Sequence, residues 1–396
     1  MSAPIARVDK GLDPYKWLEN RDAPEVLEHL RAENAYLEEQ LADQAQLRES
    51  LFQEIKGRIR ETDLSLPSPW GPWLYYQRTT AGDEYPRHYR CTRPADGSFT
   101  VDENQEQLLL DPNELAAGGF LSLGAFSVSQ DHCKLAYSLD TQGDEIYQLF
   151  VKDLSTGEVT ALPFDDCDGS MTWANDSCTL FFGELDDTHR PHKIYRHRLG
   201  DKERTEVYHD PDGRYFVHCY RTSSERQLVI LSNSKTTSEA WVLSADEPEG
   251  NWICLAPRQD DHEYYPDHGL LDDEWSWLIR SNQAGINFAL YQAPECTPQR
   301  EHWNELIGHS DSVMLEDSSL NAGAVTLSLR EAGLPIIEVR PSTGAPYRLQ
   351  LPDAAYSLHV HNTLEFDSPV IRLRYEALNR PAQIRQLNLS DGKQEV

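Results

Sequence analysis

Apolar residues recur at helical spacing from residue 22 onward. Val26, Leu27, Leu30, Leu37 and Leu41 follow helical spacing, with the polar Asn34 at the intervening position. Leu47, Leu51 and Ile55 continue the series, with Glu and Arg on the other side. This pattern predicts an amphipathic helix over roughly residues 22 to 60. Asp22 and Glu25, with Pro24 between them, have the spacing of an N-terminal capping pair. Asp13-Pro14 reads as an earlier helix start, because proline fits the first turn and a carboxylate suits its positive end.

After about residue 66 the helical spacing stops, and short apolar and aromatic runs alternate with turn residues. Seven segments share one plan of strand, polar gap, strand and turn, often closed by Gly. They are "WLYYQRTTAGDEYPRHYRCTRPADG" from 73, "LAYSLDTQGDEIYQLFVKDLSTG" from 135, "LFFGELDDTHRPHKIYRHRLG" from 180 and "LVILSNSKTTSEAWVLSADEPEG" from 228. "WSWLIRSNQAGINFALYQAPECTP" from 275, "AVTLSLREAGLPIIEVRPSTG" from 324 and "VIRLRYEALNRPAQIRQLNLSDG" from 370 complete the series. Their starts lie roughly 45 to 60 residues apart, the size of a four-stranded propeller blade. Ala324, Thr326 and Ser328 alternate with Val325, Leu327 and Leu329, as on the two faces of a strand. Asp-Gly and Thr-Gly pairs at 96–97, 156–157, 343–344 and 391–392 supply tight turns. The expectation is an all-β seven-bladed propeller over 67–396, preceded by a helical arm over 1–66. A pair of β-sandwiches explains the strands but not their even spacing.

Composition narrows the chemistry. Asp and Glu number 66 against 36 Lys and Arg, a net charge of −30, which disfavours binding to polyanionic nucleic acid and would attract cationic peptides. The same acidity serves solubility. The seven cysteines are scattered with no C-x-x-C pair, which suggests reduced thiols and a cytoplasmic protein. The N-terminal stretch has no apolar core of a signal peptide, and no run approaches a membrane span.

Catalytic motifs are thin. "GHSDS" at 308–312 lacks the final Gly of a nucleophile elbow and reads as a loop. His359 and His361 share a strand face, but no third metal ligand accompanies them. "DDCDG" at 165–169 has Asn175 where a calcium loop needs Glu, and it reads as a turn between blades, as does "DPDGR" at 210–214. "EYYPDH" at 263–268 and "WSWL" at 275–278 read as blade core. No cofactor motif is present, and the residues by themselves describe a binding or scaffold propeller.

"DPYKWLENRDAPEVLEHLRAENAY" at 13–36 resembles the N-terminal signature of the prolyl oligopeptidase family, in its oligopeptidase B branch. The resemblance continues in order. It runs through "IKGRIRETDLSLPSPWGPWLYYQRTTAGDEYP" at 55–86, "LLLDPNELA" at 108–116 and "AYSLDTQGDEIYQLFVKDLSTG" at 136–157. "EYYPDHGLLDDEWSWLIRSNQAGINFALYQAP" at 263–294 and "LEFDSPVIRLRYEALNRP" at 364–381 extend it to the last blade. It implies a two-domain serine peptidase whose propeller is inserted near the N-terminus of an α/β-hydrolase chain. The arm would pack on the hydrolase domain, and the Ser, Asp and His would all follow the propeller. "LSDGKQEV" then looks like the propeller's exit, and no residue here matches the elbow, the triad or the oxyanion hole. In "DTQGDEIY" the resemblance assigns Glu145 an ion pair between propeller and hydrolase.

The resulting expectation is the gating portion of a peptidase that cleaves short peptides after basic residues. It would be inactive alone, need no cofactor or metal, and depend on a hydrolase domain supplied in cis or in trans. A standalone interaction propeller, or one half of a split peptidase, are the alternatives.

Overall fold

In the computed structural model, each of the seven hairpins forms the middle two strands of one antiparallel sheet. The structure describes residues 4, 11, 13–362 and 365–396. The sheets are blades 1 (63–110), 2 (122–161), 3 (167–209), 4 (216–254), 5 (264–307), 6 (313–348) and 7 (357–395). Blade 2 shows the pattern: Ser122–Val128, Lys134–Asp140, Gln148–Asp153 and Val159–Ala161 pair in sequence order. Blade 1 adds a fifth short strand. The short fourth strands escape a hairpin search, as do the first strands, four of which carry a register shift against the second strand that interrupts their pattern.

Burial explains the ring. Six apolar clusters each join one blade to the next, from blades 1 and 2 around to blades 6 and 7. Tyr264 and Trp277 sit between blades 4 and 5. Val325, Leu327 and Leu329 pack toward blade 5, whereas Ala324, on the other face of the same strand, packs toward blade 7. Both faces of a blade are therefore covered, which makes the middle strands rich in apolar residues throughout.

Blades 7 and 1 meet differently. The remaining cluster, around Leu74, Tyr76 and Cys91, stays within blade 1. The seam carries polar contacts instead. Glu365 accepts from Gly71 N at 2.7 Å and from Arg93 at 2.8 Å. The buried Arg372 donates to the Pro67 carbonyl at 2.7 Å and lies 4.9 Å over Phe99.

One local expectation changes. In "DDCDG" only Asp165 and Asp166 belong to the link between blades, whereas Cys167–Trp173 is already the first strand of blade 3. Gly169 is there for close approach. Its φ is +85°, and a Cβ would meet the Tyr147 ring at 2.7 Å. "DPDGR" does form the link from blade 3 to blade 4.

The described residues up to Asp63, with the turn at 80–82, cluster as one compact unit, and the remaining residues as another. The continuous helix expected over 22–60 is divided into Pro24–Gln40 and Ala45–Lys56, with a 3-10 turn at Ala42–Gln44 between them. Asp22 is not the cap: Ala23 holds that position without a side-chain bond, and Pro24 opens the helix. Asp13 accepts from Tyr15 N at 2.9 Å and precedes the short 3-10 helix Lys16–Glu19. Val26 is the buried residue of the first helix. Leu30, Leu37, Leu47, Leu51, Phe52 and Ile55 are exposed.

Candidate functional site

Antiparallel pairing gives each propeller face a distinct origin. First strands begin, and fourth strands end, on one side, here the front face. This face also carries every turn between second and third strands. Exposed large apolar side chains follow the same division. Leu115 and Phe120 lie in the link before blade 2, and Phe216 opens blade 4. Ile286 and Leu378 sit on second-to-third turns of blades 5 and 7. The others in the propeller lie on outer strands (Leu108, Val159, Ile253, Leu306) or at the ends of the segment (Leu64, Leu66, Val396). Among the described residues, the turns of the back face carry none.

Glu145 stands on the front face, between the second and third strands of blade 2. Its backbone is left-handed, with φ at +63°. The buried Asp140 holds it there, accepting from Gln142 N and Gly143 N at 2.8 Å and from Glu145 N at 3.0 Å. Burial opposes ionisation of Asp140, but these N–H groups outweigh it and keep its pKa below the usual carboxylate range. The Glu145 side chain is exposed, and among the described residues it has no hydrogen-bond or ion-pair partner. A non-glycine residue in this conformation costs of the order of 1 kcal/mol, which the Asp140 bonds offset. Beside it lies a cavity of about 330 Å³ walled by Tyr147, Phe150 and Phe164, with Asp144, Asp165 and Asp166 around them.

A larger front-face cavity, about 740 Å³, opens by blade 4 among Arg214, Phe216, Asn233, Lys235 and Asp260. Its wall is braced from beneath. Arg190 pairs with Asp186 at 2.8 Å and donates to the carbonyls of Asp212 and Tyr215 at 3.0 and 2.7 Å. Arg258 pairs with the buried Asp210 and lies 3.5 Å over the Tyr215 ring. Ser232 donates to Asp210 at 2.5 Å.

This chain has counterparts among known proteins. A family model described as prolyl oligopeptidase, N-terminal β-propeller domain, matches residues 6–396. The chain belongs to the prolyl oligopeptidase family. It is 31% identical to dipeptidyl aminopeptidase BI of Pseudoxanthomonas mexicana, over 96% of this chain and 54% of that protein. It is 28% identical to protease 2 of Moraxella lacunata, over 97% of this chain and 55% of that protein. The chain thus spans about half the length of the curated relatives it matches. Oligopeptidase B from Trypanosoma brucei, solved in a closed form with covalently bound antipain, matches at a TM-score of 0.87 and 26% identity. That match covers 100% of this chain and 57% of that one. Oligopeptidase B from Leishmania major matches at 0.88 and 25%, covering 97% and 55%.

Within this member of the prolyl oligopeptidase family, potential nucleophiles occupy structural roles. Ser310 of "GHSDS" accepts from the N–H groups of Ser312 and Val313 in the link before blade 6. Ser224 lies 2.8 Å from His268 Nδ1, and Glu295 lies 3.4 Å from Nε2, an arrangement reminiscent of a hydrolytic triad. His268, however, is fully buried against Trp275 and Trp277, and burial lowers its pKa to about 4. It ties blade 4 to blade 5. His359 and His361 are exposed on the first strand of blade 7, and no metal-binding group forms among the described residues. Sequence reasoning missed Arg280, whose guanidinium lies beside two rings, because strand register and the absence of an acceptor decide its surroundings.

Proposed function

We propose that this chain is the arm and gating propeller of an oligopeptidase B-like serine peptidase, and that an α/β-hydrolase domain seats on its front face. The domain would be supplied in the same polypeptide or as a separate one. The observation that carries this reading is that, among the turns and links of the described residues, exposed large apolar side chains occur on the front face and not on the back, which suits docking on the front. The propeller segment also begins and ends on that face, where a flanking domain would connect. The likeness to oligopeptidase B over the whole chain supports the same partner.

In this reading the triad comes from the hydrolase, and this chain alone does not cleave peptides. The propeller admits short peptides and excludes folded proteins, and its net charge of −30 favours basic ones during approach. Glu145, presented by Asp140 on the front face, pairs with a hydrolase cation and helps the domains close. Free cysteines support a cytoplasmic setting. No helix among the described residues is long and apolar enough to cross a membrane.

The test is a chimera in which this chain replaces the matching part of Moraxella lacunata protease 2. Hydrolysis of a fluorogenic Arg-Arg amide is expected from the chimera and not from the chain alone. Glu145→Gln should reduce kcat/KM and weaken its salt dependence. A folded chimera without activity, or cleavage by the isolated chain, would overturn the proposal.

A further inference from the structure

We propose that Arg280 is a carboxylate receptor, and that it takes the C-terminal α-carboxylate of a short peptide. Arg280 lies near the front-face end of the second strand of blade 5, paired with Tyr265 of the first strand. Its guanidinium carbon is 4.5 Å from the Tyr265 ring centroid and 4.4 Å from that of Phe288. The two ring centroids lie 6.4 Å apart and the rings are tilted by 42°, so they form a corner into which the guanidinium fits. A corner leaves part of the guanidinium edge uncovered, and that edge is the part that binds a carboxylate through two parallel hydrogen bonds.

Among the described residues, Arg280 has neither a hydrogen-bond acceptor nor an ion-pair partner. Every other arginine of the propeller has one. Burial disfavours its charge, while Asp317, Tyr265 and Glu263 favour it from beyond ion-pair distance. None of its nitrogens is a buried atom without a partner, so the edge is open to solvent and to a ligand. Contact with two rings also restricts the side chain in advance, which lowers the ordering cost of binding.

The surroundings select the occupant. Asp317 and Glu263 would repel a multiply charged anion such as phosphate, whereas a singly charged carboxylate meets less opposition. The exposed Ile286 and the Phe288 ring beside it offer apolar contact to a terminal side chain. A peptide as occupant rests on the peptidase reading above, whereas the receptor geometry does not.

Titration calorimetry of the isolated chain with Ala-Arg-Ala-Phe, as free acid and as C-terminal amide, tests the assignment. The acid is expected to bind about tenfold tighter or better, a preference abolished in Arg280→Met and reduced in Arg280→Lys, which keeps the charge but not the fork. If Arg280→Met does not fold, the reduced preference of Arg280→Lys decides. Equal affinities for acid and amide, no binding of either, or a preference that survives substitution would overturn the proposal. An inactive chimera alongside a persistent acid preference would remove the peptidase reading and leave the receptor.

Discussion

Glu365 of blade 7 and Arg93 of blade 1 form a 2.8 Å ion pair across the closure of the ring. With the Arg372–Pro67 bond, it replaces the apolar cluster found at the other six junctions. Glu365→Ala should cost about 1–2 kcal/mol, since the pair is partly exposed but a charge-assisted bond to Gly71 N goes with it. Arg372→Ala should cost about 3 kcal/mol, whereas Arg372→Met, which keeps the packing and removes a buried charge, should stay within about 1 kcal/mol. Urea midpoints would check this order.

Gly169→Ala should destabilise the propeller by about 2–4 kcal/mol, because the new Cβ collides with the Tyr147 ring in a left-handed backbone. Gly157→Ala, with a similar φ but open space around it, should cost about 1 kcal/mol. Thermal unfolding of the two variants separates collision from backbone strain.

Asp267 predicts an unusual pH dependence. Burial raises its pKa, with Asp317 adding to the shift, and this outweighs the bonds from Ser223 and His268 N. A carboxyl raised on folding contributes most when protonated, at low pH, and that contribution is lost as pH rises through the folded value. Asp267→Asn should therefore raise the urea midpoint at pH 7, and the gain should shrink toward pH 4. A variant less stable than the native chain at pH 7 would contradict the assignment.

The arm should associate. Leu47, Leu51, Phe52 and Ile55 are all exposed on one short helix. Light scattering of the isolated chain is expected to show mass rising with concentration, and Leu51→Glu with Ile55→Glu should return it to a monomer.

The seven hairpins were legible because their strands are long, apolar and closed by glycine turns, such as Gly157 and Gly392 at positive φ. The first strand of blade 3 was not, since "DDCDG" reads as a turn until Tyr147 is seen packing on Gly169. The arm's helical periodicity was plain, but periodicity does not register the break at Ala42–Gln44. Glu145 came from resemblance alone. Its anchoring by Asp140, five positions earlier, is a local motif that could have been read from the sequence. Arg280 could not, because its isolation is defined by acceptors that fail to reach it.

Hydrogen exchange, comparing the isolated chain with the chimera that carries the protease 2 hydrolase, tests the docking face most directly. Protection is expected at the links and turns bearing Phe120, Glu145, Ile286 and Leu378, with the back-face turns at 129–133, 174–178 and 222–226 unchanged. Protection confined to those back-face turns, or none at all, would contradict the account.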